Sequence, residues 1–158
     1  MPPRSSSQLF KGGIPLTRRI EEYVETIYEL SKGGGLARVK DVAEKLGVSL
    51  PTVTEMFQKL STRGYVNYEP YSGATLTEEG LSLARGLERR HGALKEFFIL
   101  LGLPEERADE EACRIEHVVE GETVERLLLF LRFLKEEDRM RLMEEFLLYR
   151  MSEEKWEG

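Results

Sequence analysis

Cysteine, histidine and tryptophan are scarce in this sequence, which has one, two and one of them in 158 residues. A single cysteine, Cys113, excludes an intramolecular disulfide, so this residue is a buried apolar side chain, a reactive thiol or a metal ligand. No run approaches the roughly 18 apolar residues that span a bilayer, and residues 1–13 lack the apolar core of a signal peptide. We therefore expect a cytoplasmic protein, in a reducing environment, with no membrane partner.

Basic charge is also in the minority, with 23 Lys and Arg against 29 Asp and Glu and a net charge of −6. DNA-binding proteins usually present a basic surface. The deficit is confined to residues 71–158, which hold 13 basic and 21 acidic residues, whereas residues 1–70 hold ten basic and eight acidic ones. The first part of the chain is therefore suited to meet DNA, and the acidic remainder is suited to attract a cation.

Local signals near the start of the chain predict a helix-turn-helix. Residues 1–14, rich in Ser and Gly, are predicted to form a flexible arm. Apolar residues at three- and four-residue spacing predict an amphipathic helix over 16–30, and a shorter pattern over 39–46 ends at Gly47. Ser49 then offers an N-cap oxygen to a third helix, with proline in its first turn. Two short helices around a glycine-containing turn are typical of this motif.

A hairpin and a long helix are predicted next. Two β-prone runs, 65–68 and 74–76, flank a turn that contains Gly73, which predicts the wing of a winged helix-turn-helix. Thr77, with glutamates after it, predicts the start of a helix that reaches about residue 101.

The back half is predicted to be all helical, with further helices over 104–119, 124–134 and 140–151. The helix over 124–134 is apolar nearly all round, which in a small protein indicates burial against a second subunit as well as its own core. A homodimer is the natural inference. The predicted fold class is mainly α, with a winged helix-turn-helix DNA-binding domain over 15–77 and an all-helical dimerisation and metal-binding domain over 78–158.

The segment ACRIEH at 112–117 carries the clearest chemistry. Cys113, Glu116 and His117 stand at i, i+3 and i+4, so they are predicted to share one helical face. A thiolate, a carboxylate and an imidazole together suit iron, manganese, cobalt, nickel or zinc better than calcium or magnesium. Each residue alone also fits an ordinary core or surface role, and three ligands do not saturate most ions. The further candidate ligands are Glu22, Glu25 and His91.

The second helix of a helix-turn-helix lies in the major groove, and basic residues around it contact phosphates. On its exposed N-terminal side, the predicted DNA contacts are Ser49, Pro51, Thr52, Thr54 and Glu55. The basic residues predicted to face phosphates are Arg38, Lys40, Lys59 and Arg63. At the wing tip, Tyr71 and Ser72 are predicted to reach a neighbouring backbone. The alternative is that these are ordinary surface residues.

Four segments carry a resemblance to a known family: EYVETIY at 22–28, PTVT at 51–54, LTEEG at 76–80 and EACRIEHV at 111–118. They look like the first helix, the recognition helix, the wing exit and the metal-binding helix of the diphtheria-toxin-repressor family, which includes a shorter manganese-transport-regulator branch. The resemblance implies a metal-dependent repressor of metal-uptake genes that binds a pseudo-palindromic operator in double-stranded DNA as a homodimer. The short, two-domain form is the better match.

Carried over residue by residue, the resemblance implies two adjacent metal sites. The trio of Cys113, Glu116 and His117 would bind one ion with Glu22, and Glu25 with His91 would build a second site that shares Glu116. Glu22 is similar to the aspartate of the manganese branch, whereas Cys113 matches the iron-responsive branch. The expected cofactor is therefore a divalent transition metal, manganese or iron first, with cobalt, nickel and zinc also able to bind in vitro.

Two other function classes remain open from the residues alone. One is a winged-helix regulator that senses an oxidant through Cys113, or a small organic molecule, without a functional metal. The other is a metallohydrolase with Glu116 as general base. The second is disfavoured because no α/β cleft is predicted and the proposed ligands would largely fill the coordination sphere. We expect a regulator and not an enzyme.

Overall fold

A computed structural model describes residues 16–153 of the chain. The elements, in chain order, are α1 (Leu16–Ser31), α2 (Val39–Leu46), α3 (Leu50–Thr62), β1 (Val66–Glu69), β2 (Gly73–Leu76), α4 (Glu78–Leu100), α5 (Glu105–Ile115), α6 (Gly121–Leu134) and α7 (Glu137–Glu153). The mainly α class that the sequence predicts is confirmed. The predicted arm, residues 1–14, lies outside the described residues.

The chain divides into two compact units between Gly86 and Leu87, within α4. The first unit contains α1 to α3, the hairpin and the beginning of α4, and the second contains the rest of α4 with α5 to α7. The domain boundary predicted between residues 77 and 78 stays a prediction. Among the described residues, we find no helix with the length and apolar character needed to cross a membrane.

The helix-turn-helix has the helix caps that the sequence predicted. Gly47 caps α2 in the left-handed conformation, with φ 65°, where glycine has no Cβ to clash. The Ser49 side chain accepts a hydrogen bond from the amide of Thr52 at 3.3 Å and so caps α3. The apolar faces of the helices then meet in one core, whose fully buried members include Val24, Ile27, Val42, Val53, Phe57 and Leu60.

The wing is an antiparallel pair in which Val66 faces Leu76 and Glu69 faces Gly73. Ala37, in the loop before α2, exchanges two backbone hydrogen bonds of 2.9 Å with Ala74, which ties the hairpin to the helix-turn-helix. At the wing exit, the Thr77 hydroxyl donates to the carbonyl of Gly64 at 2.6 Å and accepts from the amide of Gly80 at 3.1 Å. Thr77 therefore starts α4, as its sequence context predicts.

In the second unit, α5 is shorter than predicted. It ends at Ile115, whereas the sequence pattern predicted a helix that continues to Val119. After Ile115 the chain forms a turn, in which the amide of Val118 donates to the carbonyl of Ile115 at 3.0 Å, three residues back where an α-helix has four. Glu116 is the C-cap residue of α5, not a residue within a longer helix.

Helices α6 and α7 bury only part of their apolar surface within the chain. Val124, Leu131 and Leu134 of α6 are buried. The large apolar side chains of α6 and α7 that are exposed are Leu129, Phe130, Phe133, Met140, Leu142, Phe146, Leu148, Tyr149 and Met151. Such a concentration is more than a monomer normally leaves in water.

Two glycines of α4 provide a test of how closely the beginning of this helix packs against the residues before β1. A Cβ at Gly80 would overlap the carbonyl oxygen of Tyr65, whereas a Cβ at Gly86 would have no atom within 4 Å. Gly80→Ala should therefore lower the free energy of unfolding by about 2 kcal/mol or more, and Gly86→Ala should raise it by up to about 1 kcal/mol. Urea denaturation followed by circular dichroism measures both. Equal effects of the two substitutions would contradict the close approach at the wing exit.

Candidate metal centre and nucleic-acid interface

A buried carboxylate lies between two imidazoles in the second unit. Glu116 is 1% exposed. Its Oε2 is 2.8 Å from Nδ1 of His91, on α4, and its Oε1 is 3.4 Å from Nε2 of His117. Each carboxylate oxygen therefore faces a different ring, and these three predicted ligands are brought together.

The charge of His91 is set by its two carboxylate neighbours. Its Nε2 lies 3.1 Å from Oδ1 of Asp109, on the side of the ring opposite Glu116. Burial acts to lower the pKa of His91, but the hydrogen bond to Asp109 and the charge and hydrogen bond of Glu116 outweigh it, so the pKa is raised. The hydrogen bonds from Lys95 and His91 lower the pKa of Asp109. Lys95, Asp109, His91 and Glu116 therefore form a chain of contacts in which basic and acidic side chains alternate.

Of the remaining predicted ligands, Cys113 belongs to the second unit and Glu22 and Glu25 belong to the first. Cys113 is exposed, although it stands only one turn before buried Glu116. Glu22 and Glu25 belong to the first unit, where both are partly buried on α1, and Glu22 accepts a hydrogen bond from Nε of Arg18 at 3.0 Å. Their roles as ligands stay predictions. Glu21, which the sequence did not single out, is the more deeply buried acid of α1.

The donor set fits a transition-metal ion. Imidazole nitrogen suits iron and zinc, and carboxylate oxygen suits manganese. A buried carboxylate must also be compensated by positive charge. His91 with Oε2 of Glu116, and His117 with Oε1 of Glu116, are two nitrogen–oxygen donor pairs that share one carboxylate within the second unit. An ion bound there would supply that positive charge in place of protons.

The predicted DNA contacts lie on an accessible face of the first unit. Ten of the eleven residues are exposed and Thr54 is partly exposed. A cleft of about 1060 Å³ lies between α3, the start of α2 and the wing, and its lining includes Arg38, Lys40, Thr54 and Tyr71. Gln58, one turn after Thr54, lines the same cleft but was not predicted. The four-residue spacing of Leu50, Thr54 and Gln58 is the signal that would have identified it.

One residue of the wing tip has an unusual backbone. Among the described residues, Tyr71 is the one non-glycine residue with a positive φ, 69°. Its side chain is fully exposed. Left-handed backbone is costly for a residue with a bulky side chain. A conformation of this kind suggests a use for the exposed ring outside the folded chain itself.

On α3, Lys59, which is predicted to contact a phosphate, forms an ion pair within the helix. Lys59 donates to Glu55 at 2.8 Å, one turn away, and this hydrogen bond together with the charge of Lys59 lowers the pKa of the Glu55 carboxyl. Both residues are exposed, so the pair contributes little to stability.

Two family models match successive parts of the chain. Residues 15–74 match the "Iron dependent repressor, N-terminal DNA binding domain", and residues 77–139 match the "Iron dependent repressor, metal binding and dimerisation domain". The chain belongs to the iron-dependent repressor family. It is therefore a metal-dependent transcriptional repressor with a DNA-binding part and a metal-binding part, and the resemblance found in the sequence is confirmed.

Individual relatives agree with this placement. The chain is 40% identical over 123 residues to an uncharacterized HTH-type transcriptional regulator of Methanocaldococcus jannaschii, covering 77% of this chain and 98% of the relative. It is 36% identical over 122 residues to the HTH-type transcriptional regulator MntR of Bacillus subtilis, covering 77% and 86%. The solved manganese regulator SloR is similar with a TM-score of 0.62 and 37% identity, over 72% of this chain and 54% of that one.

The family decides between the function classes that the sequence left open. The curated relatives are transcriptional regulators, which favours the metal-dependent repressor over the oxidant sensor and the metallohydrolase. The chain spans about half the length of the solved manganese regulator, 54%. The metal-binding part of the family is where Glu116 and its two histidines lie.

The raised pKa of His91 predicts how the stability of the metal-free protein depends on pH. Its contribution is fully present below the unfolded-state pKa of about 6.5 and is lost as pH rises through the higher folded-state pKa. His91→Gln removes this contribution, so the Tm of the variant should lie furthest below that of the wild type at about pH 6 and approach it as the pH rises above the folded-state pKa. Thermal melts with a chelator present measure it. A Tm difference that does not change with pH would contradict it.

Arg38 and Lys40, two predicted phosphate contacts at the beginning of α2, have a matched control in Lys45 in the last turn of that helix. Arg38→Ala and Lys40→Ala should each weaken DNA binding similarly for all sequences and reduce the slope of log affinity against log salt by about 0.9. Lys45→Ala, an exposed lysine of α2 that pairs with Glu29, should change neither. Fluorescence anisotropy over a range of salt concentrations measures the slopes. A similar effect of Lys45→Ala would show that only overall charge matters.

Proposed function

We propose that this protein represses metal-uptake genes, with a divalent transition metal as the corepressor, manganese or iron first. It acts as a homodimer on a pseudo-palindromic operator, so that abundant metal shuts off its own import. The family gives the general activity, and the target genes, the metal and the operator symmetry belong to the proposal. The observation that carries it is the buried Glu116 carboxylate between His91 and His117.

The proposed ligands are drawn from both units: Glu22, Glu25, His91, Cys113, Glu116 and His117. His91, Glu116 and His117 are the ones supported by geometry within one unit. Because the two oxygens of Glu116 face different rings, this carboxylate is suited to serve two adjacent ions. The other three are supported by the family resemblance and by the soft or anionic character of their donors.

Repulsion among acidic ligands gives the metal its effect on DNA binding. When bound, the cation supplies positive charge to the carboxylates. Without it, Glu22 and Glu25 of the first unit and Glu116 of the second repel one another when they approach, which disfavours arrangements that bring them close. Metal binding therefore selects the conformations in which these acids converge, and repression follows if those are the ones that fit the operator.

The dimer is supported by the exposed apolar side chains of α6 and α7. Phe130 and Phe133 are examples, each exposed by nearly half. Burial of such side chains in a twofold interface is the usual way that a small repressor pairs two recognition helices. Two copies of α3 would then read two half-sites about one helical turn apart, roughly 34 Å.

The proposal is tested by DNA binding under controlled metal. A DNA fragment carrying the upstream region of the protein's own gene is titrated with wild-type protein in the presence of manganese, ferrous iron, cobalt or zinc, under reducing conditions. We expect affinity to rise with at least one ion and to collapse when a chelator is added. The ion that acts at the lowest concentration identifies the physiological corepressor.

Glu116→Gln isolates the site in the same assay. Gln has nearly the same size but no charge, so the fold is retained, and the metal concentration needed for DNA binding should rise at least about 100-fold. Glu122→Gln, an exposed glutamate of α6 paired with Arg126, is the matched control and should behave as wild type. Binding that is independent of metal, or a Glu116→Gln variant that responds normally, would overturn the proposal.

A further inference from the structure

Asp109 makes a contact with His91 that the proposed ligand set does not use. Its Oδ1 lies 3.1 Å from Nε2 of His91 and 3.0 Å from Nζ of Lys95. His91 and Lys95 stand one turn apart on α4, and Asp109 is on α5. One carboxylate oxygen therefore accepts from two donors of the neighbouring helix, which fixes the direction of the side chain.

The Lys95 ammonium contacts two carboxylates of α5. Its ammonium lies 3.2 Å from Oε1 of Glu105, at the start of α5, in addition to its contact with Asp109. Lys95 is about one-quarter exposed, whereas Glu105 is largely in water. The ammonium thus stabilises the Asp109 carboxylate in the position that receives the His91 ring.

The His91 ring separates a buried side from an outer side. Nδ1 faces Glu116, which is almost completely buried, and Nε2 faces Asp109, whose side chain is 52% exposed. A neutral imidazole binds a metal through one nitrogen and carries its proton on the other. An acceptor at one nitrogen therefore decides which of the two is left with a lone pair.

We propose that Asp109 is a positioning residue for His91: it accepts the Nε2 proton and so leaves Nδ1, on the buried side beside Glu116, as the metal-ligating nitrogen. The inference rests on the proposed function in taking His91 as a ligand, and it adds a residue outside the ligand set. Carboxylates that hold the second nitrogen of a ligating histidine fix its orientation and raise its basicity.

Metal affinity gives the first measurement. Zn²⁺ and Mn²⁺ are titrated into the full-length protein in competition with a chromophoric chelator, without DNA. Asp109→Ala should lower affinity about 10- to 100-fold, the usual effect of losing such a partner. Asp109→Asn keeps a carbonyl oxygen that accepts from Nε2 and should lose less than Asp109→Ala. Glu105→Gln, which touches Lys95 but not His91, should stay within about twofold of wild type because the pair it breaks is exposed.

Nitrogen-15 NMR of the Zn²⁺-loaded protein gives the second measurement, because it distinguishes a metal-bound ring nitrogen from a protonated one. In wild type, Nε2 of His91 should carry the proton and Nδ1 should bind Zn²⁺. The preference should be reduced in Lys95→Gln, where Asp109 loses one of its two donors, and lost in Asp109→Ala. If Asp109 had only a structural role, its substitution would not change which ring nitrogen of His91 binds Zn²⁺.

The outcomes separate this inference from the proposed function. If His91→Ala weakens metal binding but Asp109→Ala and Asp109→Asn both bind as wild type does, Asp109 has no positioning role. Zn²⁺ bound through Nε2 in wild type would also overturn it. If the wild type binds neither ion, or Glu116→Gln binds them normally, the proposed function fails first and this inference with it.

Discussion

A buried carboxylate is stable only when neighbouring groups compensate its negative charge. In the second unit, the buried side chain of Glu116 needs such compensation. An isolated buried charge costs several kcal/mol, so the chain places an imidazole against each of its oxygens. His117 follows directly in sequence, but His91 comes from a different helix. The contact between Oε2 of Glu116 and Nδ1 of His91 therefore joins the end of α5 to α4.

The same condition accounts for the surroundings of His91. Its ring lies between the carboxylates of Glu116 and Asp109. Burial acts to lower the pKa of His91, but these two carboxylates outweigh that effect and raise it. In the proposed function, a divalent cation would supply positive charge beside Glu116 instead, and the ring would then be neutral.

Much of the first unit was predictable because its boundaries are set by residues within a few positions of each helix end. Gly47, Ser49 and Thr77 act through their own backbone conformation or through a hydrogen bond to a near neighbour. Apolar spacing then identified the faces that meet in the core. These signals are local, so a single sequence contains them.

The metal centre was only partly predictable for the opposite reason. The spacing of Cys113, Glu116 and His117 predicted one shared helical face, but the thiol is exposed while the carboxylate is buried. The contact between Asp109 and His91 joins residues 18 positions apart on two helices. No periodicity within either helix specifies how the two are aligned, and this alignment decides which acid meets which ring.

The left-handed backbone of Tyr71 has a consequence for how this family member can vary. Glycine would relieve a strain on the order of 1 kcal/mol at that position, so selection for stability alone would remove the tyrosine. A protein that retains Tyr71 has a less stable hairpin and an aromatic ring exposed to solvent. Variants selected for heat resistance are therefore expected to replace this tyrosine with glycine early.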